Sequence, residues 1–277
     1  MKSYVCITGA AGGLGKAFAA ECAQRGWDLI LTDVRSDLLP PLAHGLERQY
    51  NVRVHTHAFD LRDSAQREAF WETIHQNDLQ IFMLINVAGI DFEGWFKERS
   101  LEELRTMIRL NVEAVLEMTH CVLAYRDHCR TLRIVNVSSL ASFYPMPVKA
   151  TYAASKRFLL DLSRALHQEL RDDDVSLTVL CPAGLPTTEG TITKIDAQGF
   201  MGRATTMNVG KVARYTIDQS LKGRSLVIPG WLNQVLRFGG SLVPPITLAG
   251  LLKKRWKKAR SQSVKETVGT LTPQSIK

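Results

Sequence analysis

The chain has 277 residues, 45% hydrophobic and 22% charged, with 19 Gly and 10 Pro, a composition that excludes disordered, collagenous and fibrous classes. A folded chain of this length buries about 75% of the surface its unfolded form exposes, so no disulfide staple is needed. The net charge of +8 sits at one end: from Ile246 onward there are eight Lys or Arg and one Glu, which leaves +1 for residues 1–245.

The opening MKSYVCITGA enters a strand-like run after a single lysine and has no signal-peptide pattern, so export is not expected. Short runs of Val, Ile and Leu predict strands at 4–7, 28–32, 52–57, 81–86, 132–137, 176–180 and 226–228. Between them, helical period predicts helices near 14–25, 36–50, 63–77, 101–128, 151–171 and 208–221. IFMLINV and LTVLCP are apolar throughout, as strands buried on both faces are. Alternation of this kind predicts an α/β domain with a doubly wound, parallel, seven-stranded sheet over residues 1–230. The cluster GGSLVPP at 239–245 then separates the body from the basic tail, within an extension over 231–277 whose last fifteen or so residues are polar enough to be mobile.

After the first strand comes Thr8-Gly9-Ala10-Ala11-Gly12-Gly13-Leu14-Gly15. Glycines permit a tight turn and close backbone approach, and the free N–H groups of the following helix attract a pyrophosphate. Asp33 stands eighteen residues after Gly15, at the end of the second strand, where a carboxylate accepts from ribose hydroxyls and repels a 2′-phosphate. Val34 follows it, and the glycine turn holds no cation, so NAD is expected rather than NADP. Arg35 is the one nearby cation that could act the other way.

Ser139, Tyr152 and Lys156 are spaced Ser-x12-Tyr-x3-Lys. Tyr152 and Lys156, four apart, share a helical face, so an ammonium can lie beside the phenol. A free tyrosine, with a pKa of about 10, exchanges protons poorly near neutrality, and an adjacent cation favours its ionised form.

With these motifs the sequence resembles the short-chain dehydrogenase/reductase family, over roughly residues 3–230. The family's TGxxxGxG turn matches Thr8, Gly9, Gly13 and Gly15, its NNAG matches Asn86-Val87-Ala88-Gly89, and its helix asparagine matches Asn111. The resemblance implies a Rossmann-type fold and a catalytic set of Asn111, Ser139, Tyr152 and Lys156. It also implies a cofactor site drawn from Thr8, Gly9, Gly13, Leu14, Gly15, Asp33, Asp60, Leu61, Asn86, Ala88, Gly89, Tyr152, Lys156, Pro182 and Thr187. In that site Lys156 holds ribose hydroxyls, Asp60 and Leu61 face the adenine, Val137 and Pro182 flank the nicotinamide, and Asn111 positions a water. Two departures stand out: Val87 replaces the second Asn of NNAG, and Ala183 replaces the Gly of the family's PG.

Bland readings accompany the matches. Asn86 could bridge strands, and Ser138 competes with Ser139, though spacing to Tyr152 selects Ser139. Cys181 reads as a small buried hydrophobe, and the seven histidines show no ligand spacing, so no metal is expected. Five cysteines without a C-x-x-C pair suit a reducing cytoplasm.

The segments 90–99, 140–151 and 185–207, beyond the strands' carboxyl ends, should choose the substrate. They carry Phe92, Trp95, Phe96, Phe143, Tyr144, Met146, Phe200, Met201 and Met207, which suits a lipophilic secondary alcohol or ketone, a hydroxysteroid for example. A 3-oxoacyl-thioester reductase and a catalytically silent nucleotide-binding scaffold are the alternatives. The resemblance implies a homodimer or homotetramer through the helices near 101–128 and 151–171. In the tail, residues 246–260 include LLKKRWKKAR, suited either to an anionic membrane surface or to a solvated or subunit-contacting helix. No nucleic-acid-reading motif accompanies this charge.

Overall fold

The computed structural model describes residues 3–185, 206–254 and 256. Seven strands, β1 (Ser3–Thr8), β2 (Asp28–Asp33), β3 (Val54–Ala58), β4 (Gln80–Asn86), β5 (Leu132–Val137), β6 (Val175–Leu180) and β7 (Leu226–Val227), form one sheet in the order β3-β2-β1-β4-β5-β6-β7. Every pairing is parallel, as the expected Rossmann-type single domain requires. From β1 the chain builds outward to β3, returns to β4 beside β1, and builds outward to β7. The reversal opens a crevice at the carboxyl ends of β1 and β4, where such sheets take ligands.

Helices α1 (Gly13–Gln24), α2 (Leu39–Tyr50), α3 (Ser64–Gln76), α4 (Leu101–Ile108), α5 (Ala114–Cys121), α6 (Ala150–Glu169), α7 (Val209–Leu221) and α8 (Trp231–Ser241) complete the described elements that concern the site. Two apolar clusters hold the layers. Phe18, Leu39, Val212 and Ile217 cover one face of the sheet, and Phe70, Ile74, Met118 and Leu177 gather on the other. The helix expected from residue 36 begins at Leu39, because Pro40 and Pro41 suit a first turn that needs no N–H donors.

The helix expected over 101–128 is interrupted. Between α4 and α5 the chain makes a π-helical turn, Arg109–Glu113, and beyond α5 a 3-10 turn, Val122–Tyr125. Such wide turns add a residue to the helix and concentrate at functional sites; this one carries Asn111. After β7, α8 is followed by a helix at Pro245–Lys254, with a 118° bend between them. No single described helix is long and apolar enough to cross a membrane.

Candidate active site

The glycine turn is shaped by what it excludes. Gly9 has φ +66°, and a Cβ there would stand 2.9 Å from the Ala88 backbone. At Gly15 a Cβ would lie 2.1 Å from the Gly9 carbonyl oxygen, so the turn and the first coil of α1 close only without side chains. Leu14 is buried in the core, which leaves its backbone, with that of Gly13, at the helix N-terminus. The Thr8 hydroxyl accepts from the backbone N–H groups of Val87 (3.2 Å) and Ala88 (3.3 Å), tying the end of β1 to the segment after β4.

Asp33 ends β2 with a side chain 4% exposed. It accepts from the Ala11 N–H at 3.0 Å, from Arg35 Nε at 2.8 Å and from Arg35 Nη2 at 2.9 Å. Burial opposes its charge, but the bonds from Arg35 and Ala11 prevail and hold the carboxyl below the usual carboxylate range. Arg35, the cation flagged in the sequence, therefore lies on the acid, with Nη2 3.7 Å from where a Gly12 Cβ would be.

The three motif residues converge. The Ser139 hydroxyl lies close enough to the Tyr152 phenol to favour its ionised form, and it accepts from the Ala141 N–H at 3.1 Å. Ser138 is engaged elsewhere: its hydroxyl donates to the Lys156 carbonyl at 2.6 Å, which pins α6 to the end of β5. Lys156 Nζ donates to the Val137 carbonyl at 2.9 Å and lies 5.9 Å from the Tyr152 ring centroid. Burial lowers the ammonium to about 8, against weaker opposition from Cys181 and Asp91. Burial pushes the Tyr152 phenol up, while the neighbouring Ser139 hydroxyl pulls the other way.

Asn111, fully buried, clamps Ile90. Its Oδ1 accepts from the Ile90 N–H and its Nδ2 donates to the Ile90 carbonyl, each at 2.9 Å, and Nδ2 also reaches Ser155 Oγ at 3.2 Å. Ser155 in turn donates to the Tyr152 carbonyl at 2.8 Å. A Cβ on Gly89 would stand 3.1 Å from both Asn111 Oδ1 and Lys156 Nζ. Glycine thus lets the π-turn and the catalytic helix meet over the end of β4.

Other expected residues lie around this centre. Asn86 joins β4 to β5, its Nδ2 donating to Asn136 Oδ1 at 2.9 Å and also to Thr119 Oγ1 at 3.3 Å, which is the bridging arrangement weighed as the alternative to its expected cofactor role. Asp60 is paired with Arg62, and Leu61 is buried beside it. The Pro182 carbonyl accepts from the Leu140 N–H at 2.8 Å, and Cys181 is a buried thiol pushed up to about 11 by burial. Thr187, Phe200, Met201 and most of the 185–207 segment lie outside the described residues. Sequence reasoning missed Asp91, Glu93 and Lys149, whose ion pairs border the cleft lined by Phe92, Phe96, Leu104 and Tyr152.

The residues fit a dinucleotide. Close-packed glycines, the N-terminus of α1, an acid at the end of β2 and a buried ammonium beside a tyrosine occupy one crevice. The family model described as short chain dehydrogenase matches residues 3–197. Sulfoacetaldehyde reductase 2 of Chromohalobacter salexigens is 33% identical over 196 residues, covering 70% of this chain and 77% of that protein. The 17-beta-hydroxysteroid dehydrogenase type 3 of Mus musculus is 32% identical over 192 residues, covering 68% of this chain and 61% of that relative's length. Among solved structures, a short-chain dehydrogenase from Sphingobium yanoikuyae in complex with NADPH superposes with a TM-score of 0.74 at 24% identity, covering 100% of this chain and 98% of that one.

Proposed function

The chain belongs to the short-chain dehydrogenase/reductase family, a nicotinamide-dependent oxidoreductase of alcohols and ketones, and from that premise we propose that it acts on a lipophilic secondary alcohol or ketone with NAD preferred. The observation that carries the chemistry is the Ser139–Tyr152 contact with Lys156 on the same helical face.

The nicotinamide, when bound, supplies hydride exchange at a carbinol or carbonyl carbon. Tyr152 gives a proton to the carbonyl oxygen in reduction and takes it back in oxidation. Ser139 donates a hydrogen bond to that oxygen as charge gathers on it. Lys156 keeps positive charge beside the phenol and holds ribose hydroxyls. Gly9, Gly13 and Gly15 would leave room for the pyrophosphate at the start of α1, beside the tie that Thr8 makes to Val87 and Ala88. Gly89 lets Asn111 and Lys156 close on the site, and Asp33 would take the adenosine ribose. Asn111 acts through the clamp on Ile90 and through Ser155, which hold the cleft wall against α6.

Phe92, Phe96 and Leu104 beside Tyr152 support an apolar substrate. The homo-oligomer reading is supported by exposed Ile108, Leu116 and Phe158 on the helices expected to pair. Peripheral contact with an anionic membrane, through α8 and the basic tail, belongs to the same reading, with a cytoplasmic location and no nucleic-acid or metal partner. A cofactor-coupled absorbance assay over sterols, retinoids, acyl thioesters and short alcohols, run with NAD and NADP, tests it. Turnover of acyl thioesters alone would favour the thioester reductase, and turnover of none would favour the silent scaffold.

A further inference from the structure

Immediately before α6, the backbone is bent into a conformation its sequence resists. Val148 has φ +73°, a left-handed setting that a β-branched residue adopts only when its surroundings impose it. Its carbonyl accepts from the Gly94 N–H at 2.9 Å, which joins the segment after β4 to the start of the catalytic helix. The next residue, Lys149, crosses the same gap. Its Nζ lies 2.5 Å from Asp91 Oδ2 and 3.0 Å from Glu93 Oε2, and 5.7 Å from the Tyr152 ring centroid. Lys156 is 5.9 Å from that centroid. Lys149 precedes Tyr152 by three positions and Lys156 follows it by four, so two ammonium groups flank one ring.

We propose that Lys149, held by Asp91 and Glu93, is a positioning residue that supplies the second of two cations flanking Tyr152 and so sets the pH at which its phenol can exchange a proton. The proposal rests on the reading of Tyr152 as the acid and base. Burial opposes the Lys149 charge, yet the two carboxylates keep it an ammonium above its usual range. The groups facing the phenol come from four segments: Ser139 after β5, Cys181 after β6, Asp91 after β4, and Lys149 and Lys156 at the cap and in the body of its own helix. Arg99 also lines the cleft, paired with Glu103. Within this set Lys149 favours the phenolate and Asp91 disfavours it, so the two act with opposite sign on the same proton. Asp91 Oδ1 is buried without a hydrogen-bond partner, while its other oxygen, Oδ2, is the one paired with Lys149.

The test is an ultraviolet titration of tyrosinate in the full-length protein. Subtracting the Tyr152→Phe variant isolates one of six tyrosines. Lys149→Met should move the Tyr152 midpoint up by about one pH unit or more, and Asp91→Asn should move it down by a similar amount. The double variant should return close to the parent, and Lys149→Arg should restore it. Asp91→Asn keeps its shape and tests the sign by itself if Lys149→Met fails to fold. Midpoints that stay put, or that move the same way in both single variants, overturn the proposal. The readout needs no substrate, so it stands apart from the reaction: an active Tyr152→Phe enzyme overturns the acid–base reading instead.

Discussion

Arg35 holds Asp33 with two nitrogens, Nε at 2.8 Å and Nη2 at 2.9 Å, so the acid expected to choose the cofactor is partly neutralised before any cofactor arrives. Asp33 accepts from a ribose diol and repels a phosphate, while Arg35 does the reverse. The preference for NAD should therefore be modest, and Arg35→Ala should widen it. Asp33→Ala with Val34→Arg, at a site where Val34 is 61% exposed, should turn it toward NADP. Comparing kcat/KM with the two cofactors checks both signs; faster turnover of the unmodified enzyme with NADP at equal low concentration would mean that Arg35 dominates.

Tyr152→Phe should fold and bind cofactor yet lose about 10² to 10⁴ in turnover, the usual worth of general acid–base catalysis. The substitution removes the phenol that Ser139 contacts and leaves the ring between its two lysines. Steady-state rates with the best substrate from the panel measure it. A variant that keeps a third of normal rate removes tyrosine from the mechanism.

Lys156→Met should bind cofactor poorly and yet be the more stable apoprotein at pH 7. Burial lowers this ammonium from 10.5 to about 8. Below pH 8 the lysine is charged in both folded and unfolded chains, and the fold bears the full cost of burying it, about 3 kcal/mol at most. The Val137 carbonyl loses its donor in the variant, at a cost of about 1 kcal/mol, which leaves a net gain of roughly 2 kcal/mol. From pH 8 to 10.5 the unfolded chain binds more protons than the folded one, so parental stability rises with pH and the gain disappears. Urea melts across that range would show a pH-independent difference if the lysine were not buried as an ammonium.

Much of this was legible because the signals are local. The runs IFMLINV and LRIVNV announce β4 and β5, and the Ser139, Tyr152 and Lys156 spacing survives intact in the structure. What stayed hidden depends on contacts between distant segments. The π-turn at Asn111 is invisible in a helical period, because it is the clamp on Ile90 that draws Asn111 inward. Lys149 carries no motif of its own in the sequence, and its role shows only where the segment after β4 brings Asp91 and Glu93 beside it. Arg67, 1% exposed and bound to Glu113 and Glu117, belongs to the same class, since a buried arginine looks in sequence like any other charge on a helix. Spacing to Tyr152 was enough to choose Ser139 over Ser138, but what occupies Ser138 needed the fold, because the carbonyl that takes it lies eighteen residues away.

Along α8 and its C-cap Leu242, the side chains of Trp231, Val235, Phe238 and Leu242 are 76%, 55%, 68% and 71% exposed. Steps of four, three and four put them on one face of the helix, while the opposite side is held to the body. There Asn233 is buried, the Tyr144 hydroxyl donates to the Leu236 carbonyl at 2.8 Å, and Arg237 lies 4.9 Å from the Phe143 ring centroid. Phe143 and Tyr144 follow Ser139 by four and five residues, so α8 is docked on the segment that leaves the site serine. Burying a large apolar side chain is worth about 1.5–3 kcal/mol, so four in a row favour an apolar medium. Lys253 and Lys254, with Arg255, Lys257, Lys258 and Arg260 after them in the sequence, add about 1 kcal/mol each near anionic headgroups. Both terms point to the surface of an anionic bilayer, where a lipophilic substrate would be dissolved. The full-length protein should sediment with phosphatidylserine-containing vesicles at low salt and release at high salt. A version ending at Gly250 should bind more weakly, and Trp231→Ser with Phe238→Ser should weaken both. Equal sedimentation of all four forms, or none by any at low salt, would return the stripe to a subunit contact, which light scattering would then show as an oligomer broken by the same two substitutions.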